Sequence, residues 1–558
     1  MSVVPRLLRR RLDALGKIVK DREGARLAVI AGFVILFGLV MTGEYLAFRQ
    51  GLAEVLDLGP PSAALTLYIL EAFLALVLVI SVLSFVATGL WTFYRASDTA
   101  FLLSTPVPLA DLFWLRAVET FLLTSWAFVL LGVPAFLALG VSHDGGLPFY
   151  LRAFILLILM MVLAGALGTL LTALAGAAFR RYRARTVTVL ATVILAGAFA
   201  LLVGRHVVPS PADFYLIFEP GIPNGKPASL LFIEHRFWFW PSHPLAVSLF
   251  ASVRVTTAGS DALAAAAWVL PALALVAAGV IGRRLFAATL PVVAEGPGLA
   301  GRPGGRRGAA LAEFPRLLRG PVGAVIERDL VILGRSPQEL ARAGFIVFLL
   351  ALYTAILLVA PLAEALEEPE AVARLFFLDL MAVGYFVTAF GIRFVFPSLS
   401  LEGRGAWILF AGPLAIERLF LGKLLAYSTI LGLAVGPIAL GGALRLVTDP
   451  ALLGAFALLL ALLIGTTVTV SLAFGVLWPN FREANAERLA TNGGGLATIV
   501  LCLGYVAAVG WVGGQCVRSF LAGESILAYL AAAVALSGAI VGGATAAARR
   551  RLGTLEIL

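Results

Sequence analysis

Apolar runs of eighteen residues or more recur along almost the whole of this sequence. Each is long enough to cross a bilayer core of about 30 Å as a helix. "ALLGAFALLLALLIGTTVTVSLAFGVL" (451–477) carries no charge at all. Lipid offers no partners to backbone amides, so such segments must satisfy them internally, as helices or as a closed barrel. The polar–apolar alternation of barrel strands is absent. Composition agrees, with 61% hydrophobic residues and 13% charged, where a soluble chain carries about 25% charged. The sequence predicts an all-α polytopic membrane protein.

About twelve transmembrane helices can be placed. Six lie near 27–48, 65–93, 115–141, 149–178, 187–205 and 261–281; six more lie near 342–363, 373–397, 420–445, 452–478, 493–514 and 525–547. Between the sets runs "GPGLAGRPGGRRGAA" (296–310), basic and rich in Gly and Pro, which reads as a linker. The expected organisation is a first six-span unit over 1–290, a cytoplasmic linker over 291–312 and a second six-span unit over 313–558.

The net charge of +10 is spread by position in a way that points to topology. Counted by loop, about 32 of the 42 Lys and Arg fall on the side of the N-terminus. Basic loops stay inside, so both termini should be cytoplasmic. This distribution argues for contact with membrane lipids and against nucleic acid as a partner. Only four of the cations are Lys, and the bias to Arg, Ala and Gly fits a GC-rich bacterial genome and an inner-membrane location. The basic N-terminus lacks a small-residue cleavage site before its apolar run and reads as a retained end.

The sequence repeats itself. "PRLLR" at 5–9 returns at 315–319, "LYILE" (67–71) is answered by "LFFLD" (375–379), and "LLSTPVPLADLFWLR" (102–116) by "LFAGPLAIERLFLGK" (409–423). Offsets of 307 to 310, kept in order, point to two parallel six-helix repeats, with a pathway between the halves. A longer outer segment, about 206–258, belongs to the first copy alone and contains "HRFWFWPSHP" (235–244), whose aromatic residues suit an interface belt.

Chemistry-bearing clusters are sparse. No G-x-x-x-x-G-K-[ST] stretch occurs, so a P-loop is not expected. No nucleophile–base arrangement stands in any loop, and the two cysteines and four histidines have no metal-ligand spacing. Catalytic and metal residues are expected to be none. Charges inside spans are costly and often functional. Glu71 and Asp379, at matching repeat positions, are candidates to line an outer vestibule; the alternative is snorkelling, with Arg374 available to pair with Asp379.

The repeated punctuation at 94–116 and 401–423 carries the most information. Ser104, Thr105 and Pro106 read as a helix start, preceded by the short amphipathic stretch "YRASDTAFLLS" (94–104); "LEGRGAWILFA" (401–411) precedes Gly412-Pro413 in the second copy. The segment "LEGRGAWILFAGPLAIERLFLGKLL" resembles the cytoplasmic segment after the second span of type-2 ABC exporter permeases. "VIERDLVILGRSPQELAR" (325–342) is similar to that family's elbow helix. Copy one is more diverged, with Leu115-Arg116 in place of Gly422-Lys423.

The resemblance implies a tandem-duplicated permease subunit of an ABC exporter, itself non-catalytic. It implies no cofactor in this chain, with ATP and Mg held by two copies of a separate ATP-binding subunit. The fused pseudo-dimer would need no second permease chain. Coupling contacts would fall on Asp98, Thr105, Pro106, Val107, Pro108 and Asp111 in copy one. In copy two they would fall on Glu402, Gly403, Arg404, Gly412, Pro413, Leu414, Glu417 and Arg418, with Arg328, Asp329 and Arg335 on the elbow helix. A secondary transporter with two six-span halves is the alternative reading.

Overall fold

The computed structural model describes residues 24–57, 62–94, 98–181, 236–253, 260–295, 321–335, 337–359, 368–406, 416–481, 489–490 and 492–552, with 59, 96 and 233. Among these the chain is helical and contains no strand. In the first half run α1 (Gly24–Asp57), α2 (Ser62–Tyr94), α3 (Thr99–Leu103), α4 (Leu109–Thr124), α5 (Trp126–Ser142), α6 (Leu147–Arg181), α7 (His243–Ala251), α8 (Ser260–Ala277) and α9 (Arg283–Glu295). In the second run α10 (Pro321–Arg335), α11 (Pro337–Val359), α12 (Pro369–Phe390), α13 (Ile416–Leu446), α14 (Pro450–Leu477), α15 (Gly493–Leu521) and α16 (Leu527–Leu552).

Local sequence explains the boundaries. Pro opens α10, α11, α12 and α14, where its missing N–H costs nothing and its fixed φ suits the first turn. Asp449 caps α14 by accepting from the Ala451 N–H at 2.8 Å, and Asn492 caps α15 by accepting from the Gly495 N–H at 2.8 Å. After α15 the chain reverses through Gly523 at φ +77°, and the Glu524 N–H closes on the Ser519 carbonyl at 2.7 Å.

Among the described residues eight helices are long and apolar enough to cross a membrane, or nine if one bent pair is a single span. The bent pair corrects the expected straight span at 115–141: Leu109–Thr124 and Phe128–Ser142 meet at 52°. Thr120 and Thr124 both return their hydroxyls to carbonyls four residues back, at 2.8 and 2.9 Å, a pattern that bends helices. The expected span at 342–363 shows a shorter apolar stretch, Arg342–Ala355. The one at 187–205 lies outside the described residues, and the one at 27–48 falls within α1.

The chain divides into two compact units, one of 1–22 with 34–302, the other of 23–33 with 303–558. Each unit holds a large apolar core and a small one. In the first unit the large core gathers side chains such as Leu67, Leu74, Phe136, Leu156 and Phe237. Its small core is aromatic: Phe93, Phe113 and Phe286 meet edge-on or tilted at 5.6 to 5.8 Å. In the second unit the large core includes Leu350, Phe376, Phe390, Leu431, Phe456 and Val506. The small one joins Val325, Leu399, Leu419, Ala473 and Val476. Leu112 and Leu419, matched in the repeat, both sit in the small cores.

The expected span at 373–397 is longer than its apolar pattern. α12 continues through a π-helical turn (Gly391–Val395) into 3-10 turns at Phe396–Ser398 and Ser400–Gly405. Pro397 removes one backbone donor, which favours such a rearranged turn. Gly475 of α14 lies directly against the Phe396 carbonyl, where a Cβ would collide with backbone. This contact fixes the 3-10 segment on α14, assisted by the Asn480 N–H donating to Ser400 Oγ at 3.0 Å.

Candidate functional site: two buried-cation joints

The two punctuated segments form joints, each built around a buried cation. In the first unit, α3 is only one turn and a half long and ends by its own hydroxyls. Ser104 Oγ donates to the Phe101 carbonyl at 2.7 Å and Thr105 Oγ1 to the Leu102 carbonyl at 2.6 Å. This corrects the expectation that they start the next helix. That role falls to Pro108, which has no side chain to offer as a cap and whose carbonyl receives the Asp111 and Leu112 N–H groups at 2.9 and 3.1 Å.

Arg116, two turns into α4, is 1% exposed. Its guanidinium reaches back across the turn to Asp98 Oδ1 at 2.8 Å and Thr99 Oγ1 at 3.0 Å, and along its own helix to Glu119 Oε2 at 2.8 Å. Arg116 and Glu119 thus form an i,i+3 pair along α4. One cation thereby fastens the short helix α3 to the long helix α4, above the aromatic core of Phe93, Phe113 and Phe286. The Arg116 Nε has no partner, so its hold on Asp98 rests on the terminal nitrogens alone.

In the second unit the cation 307 positions later, Lys423, is 2% exposed. Its Nζ donates to Asp329 Oδ2 at 2.9 Å and lies 3.0 Å from Glu402 Oε1, with the Ser398 carbonyl at 3.4 Å. Arg328 closes the network, bonding to Glu402 and lying 3.2 Å from Asp329 Oδ1. Two cations and two carboxylates thus pin α10, the 3-10 turns and α13 to one another. The adjacent Gly422 explains the Gly-Lys pair: a Cβ there would lie 2.8 Å from Val325 Cβ, so only glycine lets α10 come close enough for Asp329 to reach Lys423. Gly403, at φ +56° and ψ −139°, turns the chain just after Glu402 in a region that is essentially glycine's alone.

The remaining sequence-predicted residues are placed as follows. Glu417 and Arg418 are exposed at the start of α13, and Glu417 Oε1 lies 3.9 Å from Arg549 Nε. Val107 and Pro108 form the link between α3 and α4, with Pro106 beside them and Asp111 in the first turn of α4. Arg335 ends α10, and Arg404 lies in the 3-10 turn. Gly412, Pro413 and Leu414 lie outside the described residues. In the sequence Arg116 and Lys423 stand out only as matched ends of the repeated segment. Their equal offset and opposite-charge neighbours at 98 and 402 were the signal that would have ranked them first.

Glu71 and Asp379 are both buried. Glu71 Oε1 lies 2.6 Å from Nδ1 of His243, the first residue of α7. Sequence spacing gave no hint of this pair, whose members stand 172 residues apart. Arg374 does not pair with Asp379; it donates to the Glu370 carbonyl at 3.3 Å and lies 3.9 Å from Glu368. In the segment expected on the outer side, Trp238 and Phe239 are exposed while Phe237 and Trp240 are buried. Among the described residues no group of His, Cys, Asp and Glu could hold a metal ion.

A family model described as "Putative ATP-binding cassette" matches residues 23–542. No curated protein and no solved structure matches the chain. The family match overturns four expectations. The identification as a permease subunit is replaced by an ATP-binding cassette protein. The secondary-transporter alternative goes with it. The assignment as non-catalytic gives way to ATP hydrolysis as a property of the family. The expectation of no cofactor gives way to ATP and Mg.

The described residues can be tested against a nucleotide. A phosphate cradle of the P-loop kind needs a glycine loop opening onto a helix, then Lys and Ser or Thr. Gly422-Lys423 lies inside α13, is followed by Leu424, and has its ammonium engaged by Asp329 and Glu402. These residues do not fit a triphosphate. With a match that spans nearly its whole length, the chain belongs to the family of ATP-binding cassette proteins described by that model.

Proposed function

We propose that the chain is a membrane-embedded transport protein of the ATP-binding cassette class, in which the two buried-cation joints transmit ATP-driven motion to the helix bundles. The observation that carries this reading is the joint itself, present in both units at positions 307 apart: Arg116 held to Asp98, Lys423 to Glu402. A short helix fastened by a buried ion pair moves as one body with the long helix that follows it. A push on α3 is then delivered to α4 rather than absorbed by the loop between them.

The wider architecture in this reading is twelve spans in two parallel six-helix repeats. Both termini would lie in the cytoplasm, with the chain in a bacterial inner membrane and its joints on the cytoplasmic side. ATP-binding subunits would dock against those joints. The contact residues are Asp98, Thr105, Pro106, Val107, Pro108 and Asp111, and Glu402, Gly403, Arg404, Gly412, Pro413, Leu414, Glu417 and Arg418. Phe101, 68% exposed on α3, presents an apolar face suited to such a contact.

The test is Phe101→Glu in the full chain, purified from its native membrane. An exposed position tolerates the change without loss of folding. The expected result is an unchanged melting profile together with loss of the co-purifying ATP-binding subunit. Full retention of that subunit by the variant would overturn the docking assignment.

A further inference from the structure

Among the described residues, the second unit buries a carboxyl group with no cation beside it. Asp379 is 1% exposed and lies ten residues into α12, about 15 Å along the helix axis from Pro369. Arg374 is turned toward Glu368 and Glu370. The polar, titratable side chain that faces Asp379 among the described residues is Tyr353 of α11. Gly442 of α13 also approaches, a Cβ there standing 3.8 Å from Asp379 Oδ1. Oδ2 has no hydrogen-bond partner.

A bare carboxylate in such a place carries a large desolvation penalty, which the Tyr353 hydroxyl offsets only in part and no cation among the described residues offsets. A sodium or larger ion would need several oxygen ligands, whereas the site offers one carboxyl and one phenol. A proton needs only the carboxyl. The matching position of the first unit supports this. Glu71, 308 residues earlier and 0% exposed, has His243 at 2.6 Å, a base that can share a proton with it. The same place in the repeat thus sets an acid against a base in one unit and leaves an acid with a phenol in the other.

We propose that Asp379 is a proton-binding site inside the membrane bundle, occupied at neutral pH, with the Tyr353 hydroxyl as its polar neighbour. Infrared difference spectroscopy of the full chain in lipid, wild type minus Asp379→Asn at pH 7, tests this directly. The expected difference is one carbonyl-stretch band of a protonated carboxylic acid, with no change in the carboxylate bands. Loss of carboxylate intensity in its place would overturn the proposal. Should Asp379→Asn fail to fold, wild-type protein carrying carbonyl-13C aspartate gives the same answer. An isotope-shifted carboxylic-acid band at pH 7 supports the site, and its absence refutes it. The asparagine variant, which keeps shape and neutrality, is expected to melt where the wild type does.

Discussion

Replacing Lys423 by methionine is expected to lower the stability of the second unit by about 3–5 kcal/mol, the range found when one member of a buried ionic network is removed. The methylene stem is kept, so the loss is electrostatic. Asp329 and Glu402, which Lys423 now bridges at 2.9 and 3.0 Å, would be left with Arg328 alone. That side chain is 30% exposed, and one cation would then face two buried carboxylates. Thermal or denaturant unfolding in detergent, followed by helical circular dichroism, reads the change. Adding Asp329→Asn and Glu402→Gln to Lys423→Met should recover part of the loss, because no uncompensated carboxylate is then buried and only the half-exposed Arg328 keeps its charge. If Lys423→Met melted like the wild type, the joint would not be holding these elements together.

His243→Ala is expected to cost the first unit a comparable amount, about 3 kcal/mol, because it removes the imidazole that lies 2.6 Å from a carboxyl that is 0% exposed. Glu71→Gln should cost much less, about 1 kcal/mol, since the amide can still hydrogen-bond the imidazole. The order of the two variants is the diagnostic: a packing role alone would make the truncation of His243 and the isosteric change at Glu71 differ only through lost volume. A His243→Ala, Glu71→Gln double variant separates the two. Recovery toward the level of Glu71→Gln identifies the stranded charge as the cause, and a simple sum of the two losses argues for packing.

Helical membrane character was legible from apolar run length alone, since lipid leaves few other ways to satisfy a backbone. The joints were half legible. Pro, Gly and charge marked their place at 98–116 and 402–423, because those residue types cannot continue an apolar helix cheaply. Which atoms met across each turn was hidden, as the pairing of Arg116 with Asp98 depends on the path of Ser104 to Pro108. The Ser104 and Thr105 hydroxyls closed α3 instead of opening α4, because a carbonyl three residues back is nearer than an amide ahead. Long-range partners were not legible. Glu71 and His243 stand far apart in sequence, and only the packing of α7 against α2 brings them together. The bend near Ser125 escaped notice because Thr looks apolar enough in a hydropathy profile, while its hydroxyl competes for backbone carbonyls.

The central claim is that ATP drives movement of the two joints. Pulsed dipolar spectroscopy between nitroxides at Phe101→Cys and Glu417→Cys measures it. Both positions are exposed, while the native Cys502 and Cys516 are buried and stay unlabelled. The protein is reconstituted in lipid with any ATP-binding subunit that co-purifies, then compared without nucleotide, with ATP and Mg, and with vanadate-trapped nucleotide. The account predicts a shift of the distance distribution on nucleotide binding that reverses after hydrolysis. An unchanged distribution in a preparation that hydrolyses ATP would contradict it.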